Sequence, residues 1–170
     1  LLQLGIPIMI GQLGTIVMGF ADTLMIGHYG TDELAAAGFV NNIMGMGLIA
    51  GMGFSYGLTP VVGALLGQGN SHLIGGKLKN GLVANTLMAS ALMAVMAVLF
   101  LFMDRVGLPT HLIPLMRPYL LVLALSVLPQ MLFNAFKQFS DGIQDTKLPM
   151  WVLLGGNVMN IIGNWLLIYG

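Results

Sequence analysis

The chain has 170 residues, of which 7% are charged, six Lys+Arg against six Asp+Glu, where a soluble domain carries about 25%. Apolar residues reach 57%, glycine adds 24 more and mean hydropathy is +0.91; a water-soluble domain of this size cannot hide that much apolar surface, so the soluble reading is excluded. Zero net charge without a basic block argues against a nucleic-acid partner, and the lack of cysteine removes disulfides, thiolate nucleophiles and Cys-based metal sites.

A membrane helix needs about 20 apolar residues, and five stretches qualify, at approximately residues 1–27, 34–66, 82–103, 115–139 and 150–169. The first carries one charge, Asp22, and is closed by the polar patch His28–Glu33. With no basic n-region and no small-residue cleavage site it is not a signal peptide, and because residue 1 is not Met and already opens an apolar run, the chain reads as a segment of a longer membrane protein. The second stretch has no charge, and Pro60 is expected to kink it or end its regular part. The loop Gly67–His72 leads to Lys77 and Lys79. The third stretch stops at Asp104-Arg105, and a connection with Pro109 and Pro114 leads to the fourth. The loop Asp141–Lys147 then precedes Pro149, suited to a first helical turn, and the fifth stretch. Barrel strands alternate over about ten residues and these runs do not, so the expected fold class is all-α, a polytopic membrane helical bundle.

Loops of such a bundle alternate sides. Lys77, Lys79, Lys137 and Lys147 then share one face of the membrane, against Arg105 and Arg117 towards the other. The basic excess places the lysine face, and with it the N-terminus of the segment, in the cytoplasm.

Polar side chains inside such stretches need a partner or a wet cavity. At 100° per residue Gln12, Thr15, Gly19 and Asp22 fall within about 80°, which gives the first helix a polar face. Asp22 reads either as a cation-binding carboxylate, for a proton, a sodium ion or a cationic substrate, or as an interfacial helix end; a charge at mid-membrane costs about 2.5–3.5 kcal/mol on insertion scales. Asn157, Asn160 and Asn164 share one face of the last helix, as interhelical glue or as a cavity lining. In the fourth stretch Gln130, Asn134, Lys137, Gln138 and Asp141 lie within about 100°. Lys137 and Asp141 suit an i,i+4 ion pair, while Gln130 and Asn134 are candidates to meet a solute. Asn41, Asn42, Ser55, Tyr56 and Thr59 are polar positions of the second stretch, and any of them could face a cavity. Its glycines, spaced as Gly47/Gly51 and Gly53/Gly57 with Gly63/Gly67 beyond Pro60, suit close helix packing or a bending helix. The three histidines show no metal-ligand spacing. No Gly-x-Ser-x-Gly, His-Glu-x-x-His or P-loop pattern occurs, so neither an enzyme nor a metal cofactor is expected.

Four local patterns together resemble the multidrug and toxic compound extrusion family, in its NorM-like branch. They are the opening Leu4-x-x-Pro7 helix running to Ala21-Asp22-Thr23-Leu24-Met25-Ile26-Gly27; Gly57-Leu58-Thr59-Pro60 with Gly67-Gln68-Gly69-Asn70; Gly142-Ile143-Gln144-Asp145-Thr146-Lys147 with Pro149; and Asn160-Ile161-Ile162-Gly163-Asn164-Trp165 to the end. The resemblance implies helices 1–5 of a twelve-helix, two-lobe transporter, a partial N-terminal lobe lacking helix 6 and the second lobe, which would be its missing partners. It implies an antiporter of the bacterial inner membrane that exports amphipathic, often cationic drugs against an inward proton or sodium gradient. The family's first-helix carboxylate matches Asp22, and its fifth-helix asparagine matches Asn160. A flippase of lipid-linked saccharides, or a non-transporting assembly domain, is the alternative.

Overall fold

A computed structural model describes residues 2–105, 107 and 109–169, with the side chains of 5–28, 30–105, 107 and 109–166. Six α-helices follow in chain order: α1 (Leu2–Tyr29), α2 (Thr31–Tyr56), α3 (Leu58–Gly67), α4 (Ile74–Phe102), α5 (Ile113–Gly142) and α6 (Lys147–Tyr169), with 3₁₀ turns at Ser71–Leu73 and Met103–Arg105. There is no strand among the described residues. Four segments there are long and apolar enough to cross a membrane: Gly5–His28, Thr31–Gly67, Ser71–Arg105 and Ile113–Gly142. The fifth expected stretch corresponds to α6, which is 23 residues long.

The boundaries have local causes. The polar patch after α1 is not an extended loop: Gly30 alone separates α1 from α2, and Asp32 and Glu33 occupy the first turn of α2, where negative charge complements the helix dipole. The break in the second stretch falls at Gly57, ahead of Pro60. A proline ring clashes with the carbonyl four residues earlier, which is that of Tyr56, the last residue of α2. At the far end of α3, Gly69 takes φ 74°, a left-handed turn that lets Asn70 N–H donate to the Leu65 carbonyl at 3.0 Å. Helix α4 begins well before the expected residue 82, taking Gly75, Gly76, Lys77 and Lys79 into its first turns.

The chain forms two compact units, one of α1 with α6 and one of residues Ala35–Ile143. In the larger unit Val40 and Met44 of α2 pack with Ala89 and Met96 of α4 and with Met116, Leu120, Val127 and Met131 of α5. Lipid tails are as apolar as these side chains, so the association rests on van der Waals fit and interhelical hydrogen bonds. Glycines set that fit: a Cβ on Gly51 would lie 2.7 Å from the Met131 sulfur, and one on Gly142 2.7 Å from the Val62 Cβ. Gly53 and Gly67 have open space around them, so only part of the glycine pattern serves close packing. The pairs Asn41–Tyr119 and Thr59–Gln138, 78 and 79 residues apart, show that α2 and α3 run parallel to α5. Gly47 meets Leu92 and Met96 whereas Ser55 meets Asn85, so α4 runs against α2.

In the smaller unit α1 and α6 also run parallel. Gly11 faces Leu153, Gly14 faces Leu154 and Asn157, and Asp22 faces Asn164, at a nearly constant offset in sequence.

Candidate functional site

The lone carboxylate of α1 lies on the seam with α6. Gly11 and Gly14 have no side chain to hold the helices apart: a Cβ on Gly14 would come within 2.9 Å of the Asn157 amide nitrogen and 3.0 Å of Leu154. Along this seam Asp22 reaches α6, where Asn164 Nδ2 donates to its Oδ1 at 2.7 Å. The same amide donates to Asn160 Oδ1 at 3.2 Å. One carboxylate and two amides, spaced four apart on α6, thus form a continuous polar chain. Among the described residues Asp22 has no cationic partner, because the ion pairs found are Arg117–Asp104 and Lys137–Asp141.

This donor set defines what the site can hold. Asp22 Oδ1 and Asn160 Oδ1 flank a single amide N–H₂ group, and a rotation of the Asn164 amide presents its own oxygen to the same space. A carboxylate with amide oxygens is a hard, singly charged set; it suits a proton or a small monovalent cation and has no ligand for a soft metal. No group of three His, Cys, Asp or Glu able to hold a metal ion exists among the described residues.

The other expected residues are distributed differently. Gln12 and Thr15 are exposed on α1, and the Thr15 hydroxyl donates back to the Gly11 carbonyl at 3.1 Å, so among the described residues the expected polar arc reaches α6 through Asp22 alone. Asn157 is 9% exposed beside Gly14, and its Nδ2 is buried with no hydrogen-bond partner among the described residues. In the larger unit Asn41 accepts from the Tyr119 hydroxyl at 3.0 Å, tying α2 to α5. Tyr56 is exposed at the end of α2, Gln130 is half-buried, and Asn134 is buried with its Nδ2 unpartnered among the described residues.

Two buried links escaped the sequence. The Ser55 hydroxyl shares its one proton between Asn85 Oδ1 and the Gly51 carbonyl, while Asn85 Nδ2 donates to the Gly81 carbonyl. The Thr59 hydroxyl shares its one proton between Gln138 Oε1 at 2.7 Å and the Gln138 carbonyl at 3.0 Å. These two links stand on either side of the Gly57 break and tie it to α4 and α5. Asn85 is an amide inside an otherwise apolar run, which is the signal that could have found it. Lys137 and Asp141 form the expected i,i+4 pair at 2.8 Å. Arg117 instead pairs with Asp104 across the α4–α5 connection and lies 5.7 Å from the Phe100 ring centroid, which holds the charge at that end of both helices.

Comparison with known proteins identifies the family. The MatE family profile matches residues 7–166. The chain is 30% identical over its whole length to the probable multidrug resistance protein NorM of Photorhabdus laumondii and 30% identical to the multidrug resistance protein NorM of Vibrio cholerae. It is 27% identical over 99% of its length to the probable NorM of a Synechococcus strain. It spans 36–38% of the length of these relatives. The chain, a helical membrane bundle, belongs to the MatE family in its NorM-like branch.

Proposed function

We propose that this chain contributes helices 1–5 of the N-terminal lobe of a two-lobe antiporter that exports amphipathic organic cations, driven by an inward flow of protons or sodium ions. In this reading α2 and α3 together count as one crossing, and the lysine-bearing face with the N-terminus of the segment is cytoplasmic. The observation that carries the proposal is the Asp22–Asn164–Asn160 chain. It places an unneutralised carboxylate on a membrane helix against amides able to present oxygens to an incoming cation.

The mechanism follows from charge. An ionised Asp22 attracts a cationic drug when the site is open to the cytoplasm. When the site opens outward, a proton or sodium ion arriving at Asp22 competes with the drug and neutralises the carboxylate. The drug then leaves, and the lobe reorients without carrying a bare charge through the low-dielectric region. The amides of Asn160 and Asn164 keep Asp22 oriented on the seam between the two helices. No covalent chemistry is involved, so the protein acts as a transporter and not as an enzyme, and its partners are the drug, the ion and the bilayer.

The test is gradient-driven efflux of a fluorescent organic cation from proteoliposomes holding the full-length protein, with Asp22→Asn as the variant. Loss of coupled efflux in the variant supports the role of Asp22; unchanged efflux refutes it. The saccharide-lipid flippase alternative needs basic side chains deep in the helices to meet pyrophosphate. Here Arg117 and Lys137 are held in ion pairs at helix ends.

A further inference from the structure

The break between α2 and α3 has a second consequence, remote in sequence from Asp22. Where the two helices part at Gly57, they leave a pocket of about 300 Å³ against α4. Its walls are apolar, with Phe54, Leu58 and Val61 on one side and Ala84 on the other, and Lys77 and Asn80 of the first turns of α4 stand among its lining residues. No carboxylate lines it. Lys77 takes part in neither ion pair found among the described residues, so its charge is not neutralised there. The deeper polar residues are engaged already: the Ser55 hydroxyl donates towards Asn85 Oδ1 and the Gly51 carbonyl, and Asn85 Nδ2 donates to the Gly81 carbonyl. Polar recognition therefore falls to one ammonium and one amide, set beside an apolar slot.

That combination matches a single ligand chemistry, a phosphate anion carrying hydrocarbon. A free phosphate ion needs a cage of several donors, and this pocket has two with apolar walls. Its position agrees, because Lys77 lies in the early turns of a membrane-crossing helix, where basic pockets between helices meet lipid headgroups. We propose that the pocket is a headgroup site for an anionic glycerophospholipid, with the phosphate on Lys77 and Asn80 and an acyl chain along Phe54 and Val61. The lipid braces α3 against α4 at the Gly57 break.

The test is native mass spectrometry of the full-length protein in mild detergent, titrated with phosphatidylglycerol or with phosphatidylcholine. The wild type retains one phosphatidylglycerol in preference to phosphatidylcholine. Lys77→Gln weakens that retention roughly five-fold, the ratio for one interfacial lysine, and Lys77→Arg preserves it. Lys79→Gln, which removes the same charge from a lysine outside the pocket, leaves retention unchanged. Val61→Trp fills the slot without altering charge and abolishes the preference. Equal losses in Lys77→Gln and Lys79→Gln overturn the site in favour of diffuse electrostatics. Retention of phosphatidylcholine equal to that of phosphatidylglycerol also overturns it, and displacement of phosphatidylglycerol by millimolar inorganic phosphate assigns the pocket to the free ion.

Discussion

Gly142 closes α5 against α3, and replacing it tests how tightly that crossing is built. An added Cβ would lie 2.7 Å from Val62 Cβ, 2.9 Å from Val62 Cγ1 and 3.0 Å from the Thr59 carbonyl oxygen. Two of these neighbours are a Cβ and a backbone atom, which move only if the helices separate. Overpacking of this kind costs about 1–3 kcal/mol, and the helix-propensity gain of alanine over glycine returns at most about 1 kcal/mol. Gly142→Ala is therefore expected to destabilise the protein by about 1–2 kcal/mol, or a few degrees in Tm for a chain of this length. Gly53→Ala is the control: nothing lies within 4 Å of its added Cβ, so it is neutral or stabilising by up to about 1 kcal/mol. The two effects are read from thermal unfolding in the same detergent. A second layer checks the atoms themselves. Val62→Ala removes Cγ1 and leaves the 2.7 Å contact, so it rescues Gly142→Ala only in part, whereas Val62→Gly removes both contacts and gives the larger coupling in a double-mutant cycle. If Gly142→Ala unfolds no earlier than Gly53→Ala, the close crossing of α3 and α5 is wrong.

Other substitutions separate the polar links by what each leaves unpaired. Asn85→Leu is expected to cost under about 1 kcal/mol, because Ser55 keeps its bond to the Gly51 carbonyl; single hydrogen bonds in membrane bundles average about 0.6 kcal/mol. Thr59→Val strands Oε1 of the buried Gln138 side chain and is expected to cost more than Asn85→Leu, by about 1 kcal/mol in the same unfolding assay. Asp104→Asn breaks a pair whose side chains are 60% and 41% exposed, so its effect on Tm stays small and shrinks further with added salt. Asn164→Leu removes the amide that orients Asp22; coupled efflux is expected to fall sharply with little change in thermal stability, measured on the same proteoliposome preparation.

What the sequence could and could not convey follows from which forces act within one helix and which between helices. Hydropathy and the proline positions are local, so the helical membrane bundle and the interruption near Pro60 were readable from residue order, as was the Lys137–Asp141 pair one turn apart. Asp22 stood out because a lone carboxylate in an apolar run demands a partner. Which residue answers it depends on the register of α1 against α6, and that register is set by Gly11 and Gly14 meeting Leu153 and Leu154. The angular arc that grouped Gln12 and Thr15 with Asp22 treated the polar residues as the packing face. The glycines make that face instead, so Gln12 and Thr15 turn outward. The Ser55–Asn85 and Thr59–Gln138 links were illegible for the same reason: each joins helices whose adjacency no single-helix pattern encodes.

The central claim is that Asp22, held by Asn164, is where the driving ion and the drug exclude one another. The most direct measurement loads proteoliposomes of the full-length protein with a fluorescent organic cation and imposes a pH gradient and a sodium gradient in separate experiments, for the wild type and for Asp22→Asn. The account predicts efflux in the wild type under one of the gradients, which thereby names the ion, and its loss in Asp22→Asn with the variant still folded. Efflux that survives Asp22→Asn with the same dependence on the gradient would contradict it.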